Sequence, residues 1–281
     1  MRNYSNQIIR VLEKITAAGA DDAQIFDDFL DMAHDSLEQL PHHVKSVRST
    51  GQLTQDPPEM IKRWDRLRNR YKNQYYFNLF ARALSILMSS AEDDWNDTIG
   101  EVYMEFGHPS KRGGQFFTPF PLAKMMATTL VGLQKGGSVP QLVHQKIQAA
   151  CQGDPLTEAL LLTGTLLKGG DTEDWYFNKL IPTIAHKVES VTIHDPACGS
   201  GVMFLAAASE IPQWMLDWGF VRFSGQDIDQ TCVQMAKVNM MLYGLNGYSL
   251  KCAVAVGEGP PEDRIEITNE LKTLALEKVN L

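Results

Sequence analysis

The densest chemical signal in the chain is VTIHDPACGSGVMFLAAAS, residues 191–209. A short β-type run, Val191–His194, ends at Asp195; a turn containing Gly199 and Gly201 follows, and a helix is predicted to begin near Val202. Glycines in such a turn let the backbone adopt positive φ and approach a ligand closely. The first N–H groups of the helix lack intrahelical acceptors and so face whatever binds. This is the logic of nucleotide loops at the carboxyl ends of strands in doubly wound sheets. The spacing is not Gly-x-Gly-x-x-Gly, and no Gly-Lys-Ser/Thr follows, so neither the dinucleotide fingerprint nor a P-loop is present.

Further on, VRFSGQDIDQTCVQMAKVNMMLYG predicts a second strand ending at Asp227 and then another helix. An acid at the end of the second strand commonly accepts bonds from ribose hydroxyls. One glycine turn alone could be a tight strand-to-helix connection; with Asp227 at this spacing, a ligand site is the preferred reading.

Other elements must position that loop. The chain has 281 residues, 44% hydrophobic and 21% charged, with a net charge of −8. That suits one large or two modest folded domains and excludes disordered and collagen-like classes. No apolar run reaches membrane-spanning length, and the N-terminus, MRNYSNQIIRVLEKIT, lacks the features of a secretion signal, so a cytoplasmic protein is expected. Cys151, Cys198, Cys232 and Cys252 are scattered with no Cys-x-x-Cys pair, and there is no His-Glu-x-x-His. His42 and His43 are expected in a proline-flanked turn, and no metal site is predicted. An acidic chain does not coat nucleic acid by charge alone, but a local patch or a partner can still hold it.

Residues 1–110 are predicted helical. Asp21 and Asp22 can cap a helix whose apolar face is Ile25, Phe26, Phe29, Leu30, Ala33 and Leu37. The acids from Asp21 to Glu38, with no Lys or Arg among them, are expected to form a solvated face rather than a docking face. Residues 41–59 are expected to be a polar loop bounded by prolines. The following helical segment, from Ile61 to Met88, carries Lys62, Arg63, Arg66, Arg68, Arg70 and Lys72 interleaved with Trp64, Tyr71, Tyr75 and Tyr76. Bases and aromatics in that mixture fit a nucleic-acid contact, and equally a solvated helix with aromatics turned to the core. Residues 132–190 are predicted to be a helical insert with breaks at Gly136-Gly137 and Gly169-Gly170. From Val191 the alternation of strands and helices predicts a parallel α/β sheet.

The string Asp195-Pro196-Ala197-Cys198-Gly199-Ser200-Gly201 resembles the S-adenosylmethionine loop of N6-adenine DNA methyltransferases. Three further strings match in family order. Asn96-Asp97-Thr98-Ile99-Gly100-Glu101-Val102-Tyr103 is similar to the helix preceding the cofactor site. Arg112-Gly113-Gly114-Gln115-Phe116-Phe117-Thr118-Pro119 resembles the N-terminal cofactor motif, and Gly225-Gln226-Asp227-Ile228-Asp229 the second-strand motif. Within the family, the chain most resembles the modification subunit of type I restriction-modification systems. The resemblance runs from about Asn96 to Gly244, interrupted by 132–190.

The resemblance implies an α/β fold: an N-terminal helical domain over 1–110, then a partial Rossmann-like methyltransferase sheet over 111–281, with helices on both faces. It implies that Gln115, Phe116, Thr118 and Pro119 close over the methionine end of S-adenosyl-L-methionine. Asp195, Pro196, Ala197, Cys198, Gly199, Ser200 and Gly201 would lie beneath its amino-acid and ribose portion. Asp227 would bond the ribose hydroxyls, and Ile228 would pack on the adenine ring. Phe116 and Phe117 could instead be core aromatics, but the adjoining Gln-x-x-Thr-Pro favours a ligand role. Nothing near Cys198 in sequence would activate its thiol.

The family holds a flipped adenine with Asn-Pro-Pro-Phe or Asn-Pro-Pro-Tyr after the fourth strand. Neither string occurs here. Asp56-Pro57-Pro58-Glu59 lacks the aromatic and the preceding strand; Gly259-Pro260-Pro261-Glu262 lacks the amide and the aromatic. Only three strands are expected, near 191–195, 221–227 and 250–256, so the family's C-terminal half is expected to be absent and the first strand to present an unpaired edge. No catalytic residue is assigned. The expected function is S-adenosylmethionine-binding DNA adenine methylation, with a specificity subunit or second chain completing the enzyme. The alternatives are a non-catalytic regulatory or decayed paralogue, and half of a split methyltransferase.

Overall fold

The computed structural model describes residues 3–106, 117–132, 137–167 and 175–245, and the backbone of a strand at Gly247–Leu250. The N-terminal part is helical: α1 (Tyr4–Leu12), α2 (Asp22–Thr50), α3 (Pro58–Arg70), α4 (Gln74–Asp93) and α5 (Thr98–Glu105). Asp21 caps α2, its carboxylate accepting the Gln24 N–H at 2.8 Å, and Ile25, Phe26, Phe29, Leu30 and Ala33 are buried.

The loop expected at 41–59 is much shorter. Helix α2 continues through Pro41 to Thr50, so His42 and His43 are helical, and only 51–57 stay irregular. An interior proline loses one hydrogen bond and crowds the preceding turn, but its fixed φ suits a helix already nucleated over the turns before it. The stop comes at Gly51, left-handed at φ 73°, whose N–H donates to the Val47 carbonyl at 2.9 Å. The long helix expected after it is two. Asn73 accepts the Tyr75 N–H at 2.9 Å and starts α4 afresh.

The acidic face of α2 is also not simply solvated. Asp28 and Asp35, 4% and 1% exposed, face α3. Arg63 grips Asp35 with two bonds, Nε to Oδ2 at 3.0 Å and Nη2 to Oδ1 at 2.6 Å. Arg70 donates to both oxygens of Asp28, and the Tyr71 hydroxyl donates to Asp28 Oδ2 at 2.6 Å. Two of the six bases considered for nucleic acid are thus used inside the fold, and Tyr71 is a core residue at 1% exposure. Acids at positions 28, 31 and 35 share one helix face, so they form a docking stripe once a basic helix lies alongside.

The second part begins with α6 (Phe120–Gly132), α7 (Val139–Cys151) and α8 (Pro155–Leu166). A π-turn at Tyr176–Leu180 then leads into α9 (Ile181–Ile184). Next come β1 (Val191–Asp195), α10 (Val202–Ser209), α11 (Gln213–Asp217), β2 (Val221–Gln226), α12 (Gln230–Leu242) and β3 (Gly247–Leu250). The sheet is parallel in the order β1-β2-β3, with Val191 opposite Val221 and Asp195 opposite Gly225. The third strand starts earlier than expected, pairing Phe223 with Gly247. Residues 251–281, including the expected strand continuation and Gly259-Pro260-Pro261-Glu262, lie outside the described residues, as do Gly136, Gly169 and Gly170. Among the described residues no strand pairs with the outer side of β1.

Two apolar cores result. One joins α1, α2, α4 and α5; the other joins the sheet, α6, α10 and the helices of 132–190 through Val143, Ile147, Leu180 and Ile181. Helix α12 serves both: Cys232, Met235 and Val238 enter the first core, Ala236 and Met240 the second. No helix among the described residues is long and apolar enough to cross a membrane.

Candidate functional site

Because β1 and β2 are parallel and in register, their carboxyl ends open side by side. The 195–201 loop and Asp227 therefore meet at one edge of the sheet. The Asp195 carboxylate accepts the Ala197 N–H at 3.0 Å, turning the chain away from the strand. Cys198, buried at 2%, donates its N–H to the Gln226 carbonyl at 3.0 Å and binds the loop to the end of β2. Gly199 and Gly201 have φ of 52° and 84°. At Gly201 a Cβ would also come within 3.3 Å of the Ala236 Cα, so a side chain is refused by conformation and by the close approach of α12.

Asp227 closes the loop from the other side. One oxygen accepts the Gly199 N–H and the other the Asp229 N–H, each at 2.9 Å. Each carboxylate oxygen retains a lone pair for a further donor. Asp229 caps α12 through the Thr231 N–H at 2.8 Å. Between the two acids Ile228 is 87% exposed. A large apolar side chain standing in water beside a half-buried carboxylate is the chemistry of a flat, hydroxyl-bearing ligand: a face to cover and a diol to bond.

The third expected segment arrives as well. The Phe117 ring lies 3.2 Å from where a Cβ on Gly199 would stand, and stacks on Tyr103 at 5.4 Å between centroids. Phe117 thus packs against the loop and the first core at once. Thr118 is half-buried and Pro119 exposed, directly before α6. Gln115 and Phe116 lie outside the described residues.

Under the loop is a cluster that joins Ser200, expected at the cofactor, to two residues given no role from sequence. The Ser200 hydroxyl donates to Asp97 Oδ2. The Asn239 amide donates to Asp97 Oδ1 at 2.8 Å and to the Ser200 carbonyl at 2.9 Å. Asp97 also caps α5, accepting the Gly100 N–H at 3.0 Å. A Cβ on Gly100 would lie 2.1 Å from the carboxylate, so glycine is what lets Asp97 fold back over the helix start. Burial pushes the Asp97 carboxyl up to about 6, against the pull of its three donors. Asp97 was visible within Asn96–Tyr103 but had no role. Asn239 had one signal, an amide interrupting the apolar run of α12.

Two other features are not sites of this kind. His34, Asp35 and Glu38 bring possible ligand atoms within 4.8 Å of one another, but both Asp35 oxygens already accept from Arg63. A groove of about 350 Å³ between α2, α3 and α4, walled by Trp64, Phe77 and Leu84, includes no loop residue.

A parallel sheet with a glycine loop after its first strand and an acid after its second is an α/β arrangement consistent with a methyltransferase-like fold. The N-6 DNA methylase family model matches residues 176–269, so this part of the chain is similar to that family. The match spans the sheet and the loop, while 96–103 and 112–119 lie before it. No curated protein gives a match.

Proposed function

We propose that the chain binds S-adenosyl-L-methionine on the 195–201 loop and serves N6-adenine methylation of DNA. The observation that carries this is the exposed Ile228 beside Asp227, at the carboxyl edge where the positive-φ loop opens. In this reading the sheet is Rossmann-like, and Ile228 covers one face of the adenine ring. Asp227 accepts the ribose hydroxyls, and the loop from Asp195 to Gly201 lies under the remainder, with Thr118 and Pro119 beside it. The cofactor supplies an electrophilic sulfonium methyl; the protein's task at this site is to bind and orient it. The helical part over 1–110 and the methyltransferase part over 111–281 act together.

The base-holding Asn-Pro-Pro-aromatic string is not among the 281 residues. Methyl transfer is assigned to an assembly that includes that motif, with a specificity subunit or second chain bringing most of the DNA contact. The net charge of −8 supports the last point, since a chain of this sign grips a polyanion poorly by itself. Among the described residues no strand pairs with the outer side of β1, which is a place for the partner to pair. The assembly works in the cytoplasm as a restriction-modification type enzyme.

Calorimetry with S-adenosylmethionine tests the cofactor assignment. The wild type should release heat with one site per chain, and Asp227→Ala and Ile228→Ser should each bind at least about fivefold more weakly, from a lost hydrogen bond or lost apolar contact. No binding by the wild type sinks the reading; equal binding by Asp227→Ala removes its ribose role.

A further inference from the structure

Asp97, Ser200 and Asn239 lie behind the ligand-facing surface, at 4%, 0% and 1% exposure. Their side chains engage one another beneath that surface, and Asp97 and Asn239 hold Ser200, between the loop's two glycines, at both its hydroxyl and its carbonyl. We propose that Asp97 is the positioning residue of the glycine loop, so that the helical N-terminal part of the chain sets the shape in which the loop receives its ligand.

The geometry supports this in three ways. First, the partners of Asp97 are three donors from three directions: the Gly100 N–H, the Ser200 hydroxyl and the Asn239 amide. A carboxylate can accept all three, whereas an alanine there leaves all three without that acceptor. Second, Asn239 relays the hold, because the same amide group that reaches Asp97 also donates to the Ser200 carbonyl. Ser200 therefore cannot rotate without breaking bonds at both ends, and its neighbours Gly199 and Gly201 are the left-handed residues that shape the turn. Third, the segment carrying Asp97 is itself fastened to α12. The Tyr243 hydroxyl accepts the Asn96 N–H at 3.0 Å and donates to the Asn96 carbonyl at 2.8 Å. Its ring stacks on Trp95 at 4.8 Å and 12°. The loop is thus clamped from opposite sides, by Asp227 in front and by Asp97 from behind.

The effect on cofactor affinity rests on the binding reading above; the effect on the loop does not. The test uses the full chain in two measurements: amide hydrogen exchange across 195–204, and calorimetry with S-adenosylmethionine. In Asp97→Ala the amides of Ser200 and Gly201 should exchange at least about tenfold faster, the consequence of buried donors left without their acceptor. The amides of β2, such as Phe223, should keep their protection, and the dissociation constant should rise by about tenfold or more. Ser200→Ala, which leaves the carbonyl bond to Asn239 in place, should show a smaller effect of the same kind.

Unchanged loop exchange in a folded Asp97→Ala overturns the proposal, and so does acceleration spread equally over β2, which marks general loosening. Where Asp97→Ala does not fold, Ser200→Ala decides, and wild-type exchange in its loop overturns the proposal. A wild type that ignores the cofactor while its loop loosens as expected in Asp97→Ala sinks the binding reading and leaves the positioning role standing. A wild type that binds, with variants binding equally well, overturns the positioning role.

Discussion

Truncating Arg63 to alanine should destabilise the protein by about 3 kcal/mol. The figure follows from the site: the Asp35 carboxylate is 1% exposed, and both its oxygens accept from one guanidinium, at 3.0 and 2.6 Å. Removing one partner of a buried pair costs about 3–5 kcal/mol, mainly for the charge left behind. Arg63 is 30% exposed, so water can follow the truncation in, which pulls the figure to the low end. His34 is the nearest substitute cation, its Nδ1 3.6 Å from Asp35, and it helps only when protonated. Arg63→Lys keeps the charge but loses the fork and should cost about 1 kcal/mol. Arg66→Ala, on the exposed side of the same helix, should stay within about 0.5 kcal/mol. Urea unfolding at pH 7.5 reads all three, repeated in high salt because a buried pair is screened little. The double variant Arg63→Met with Asp35→Leu should recover most of the loss, since an apolar pair of similar volume replaces a buried ion pair at little cost. An Arg63→Ala value within 1 kcal/mol of the wild type, or indistinguishable from Arg66→Ala, would refute the claim that these charges hold α2 to α3.

Burial holds the Asp97 carboxyl at about 6 instead of 3.8, so the folded chain takes up this proton where the unfolded chain does not. Its stabilising contribution is complete below 3.8 and is lost as pH rises through about 6. The gap in unfolding free energy between wild type and Asp97→Asn should therefore change by about 1.4 kcal/mol per pH unit inside that window, and parallel curves would show that the raised value is wrong. Gly201→Ala places a side chain at φ 84° and 3.3 Å from the Ala236 backbone. It should cost about 1–2 kcal/mol from conformation alone, read as a lower urea midpoint; an unchanged midpoint would mean the turn relaxes freely. Incubated with labelled cofactor and mixed-sequence DNA, the purified chain should transfer no methyl group by itself, and appreciable labelling would overturn the assignment of catalysis to an assembly.

The loop was legible because its chemistry is local. A strand, a two-glycine turn and a helix occupy consecutive residues, and Asp227 follows the next strand at the distance one helical crossover imposes. The α2 acids were misread for the opposite reason. Whether Asp28 and Asp35 meet water or arginine depends on where α3 lies, and local sequence does not carry that. Proline at 41 was overvalued as a stop, because one lost hydrogen bond does not end a helix already propagating. Asn239 was missed since a lone amide in an apolar helix says only that a partner exists somewhere. Its partner, Asp97, comes from an element far away in sequence.

That last pairing bears on how the chain is divided. A boundary near 110 separates a helical part from a sheet-containing part in sequence, but the two cores meet in α12, whose opposite faces supply Met235 to one and Met240 to the other. Cutting the chain there would expose Cys232, Met235 and Val238 together, and would leave the Asn239 amide without the carboxylate that fixes it. Apolar exposure would cost about 25 cal/mol per Å², and the amide would lose a charge-assisted bond as well. The helical part is therefore a structural component of the loop that the sheet presents.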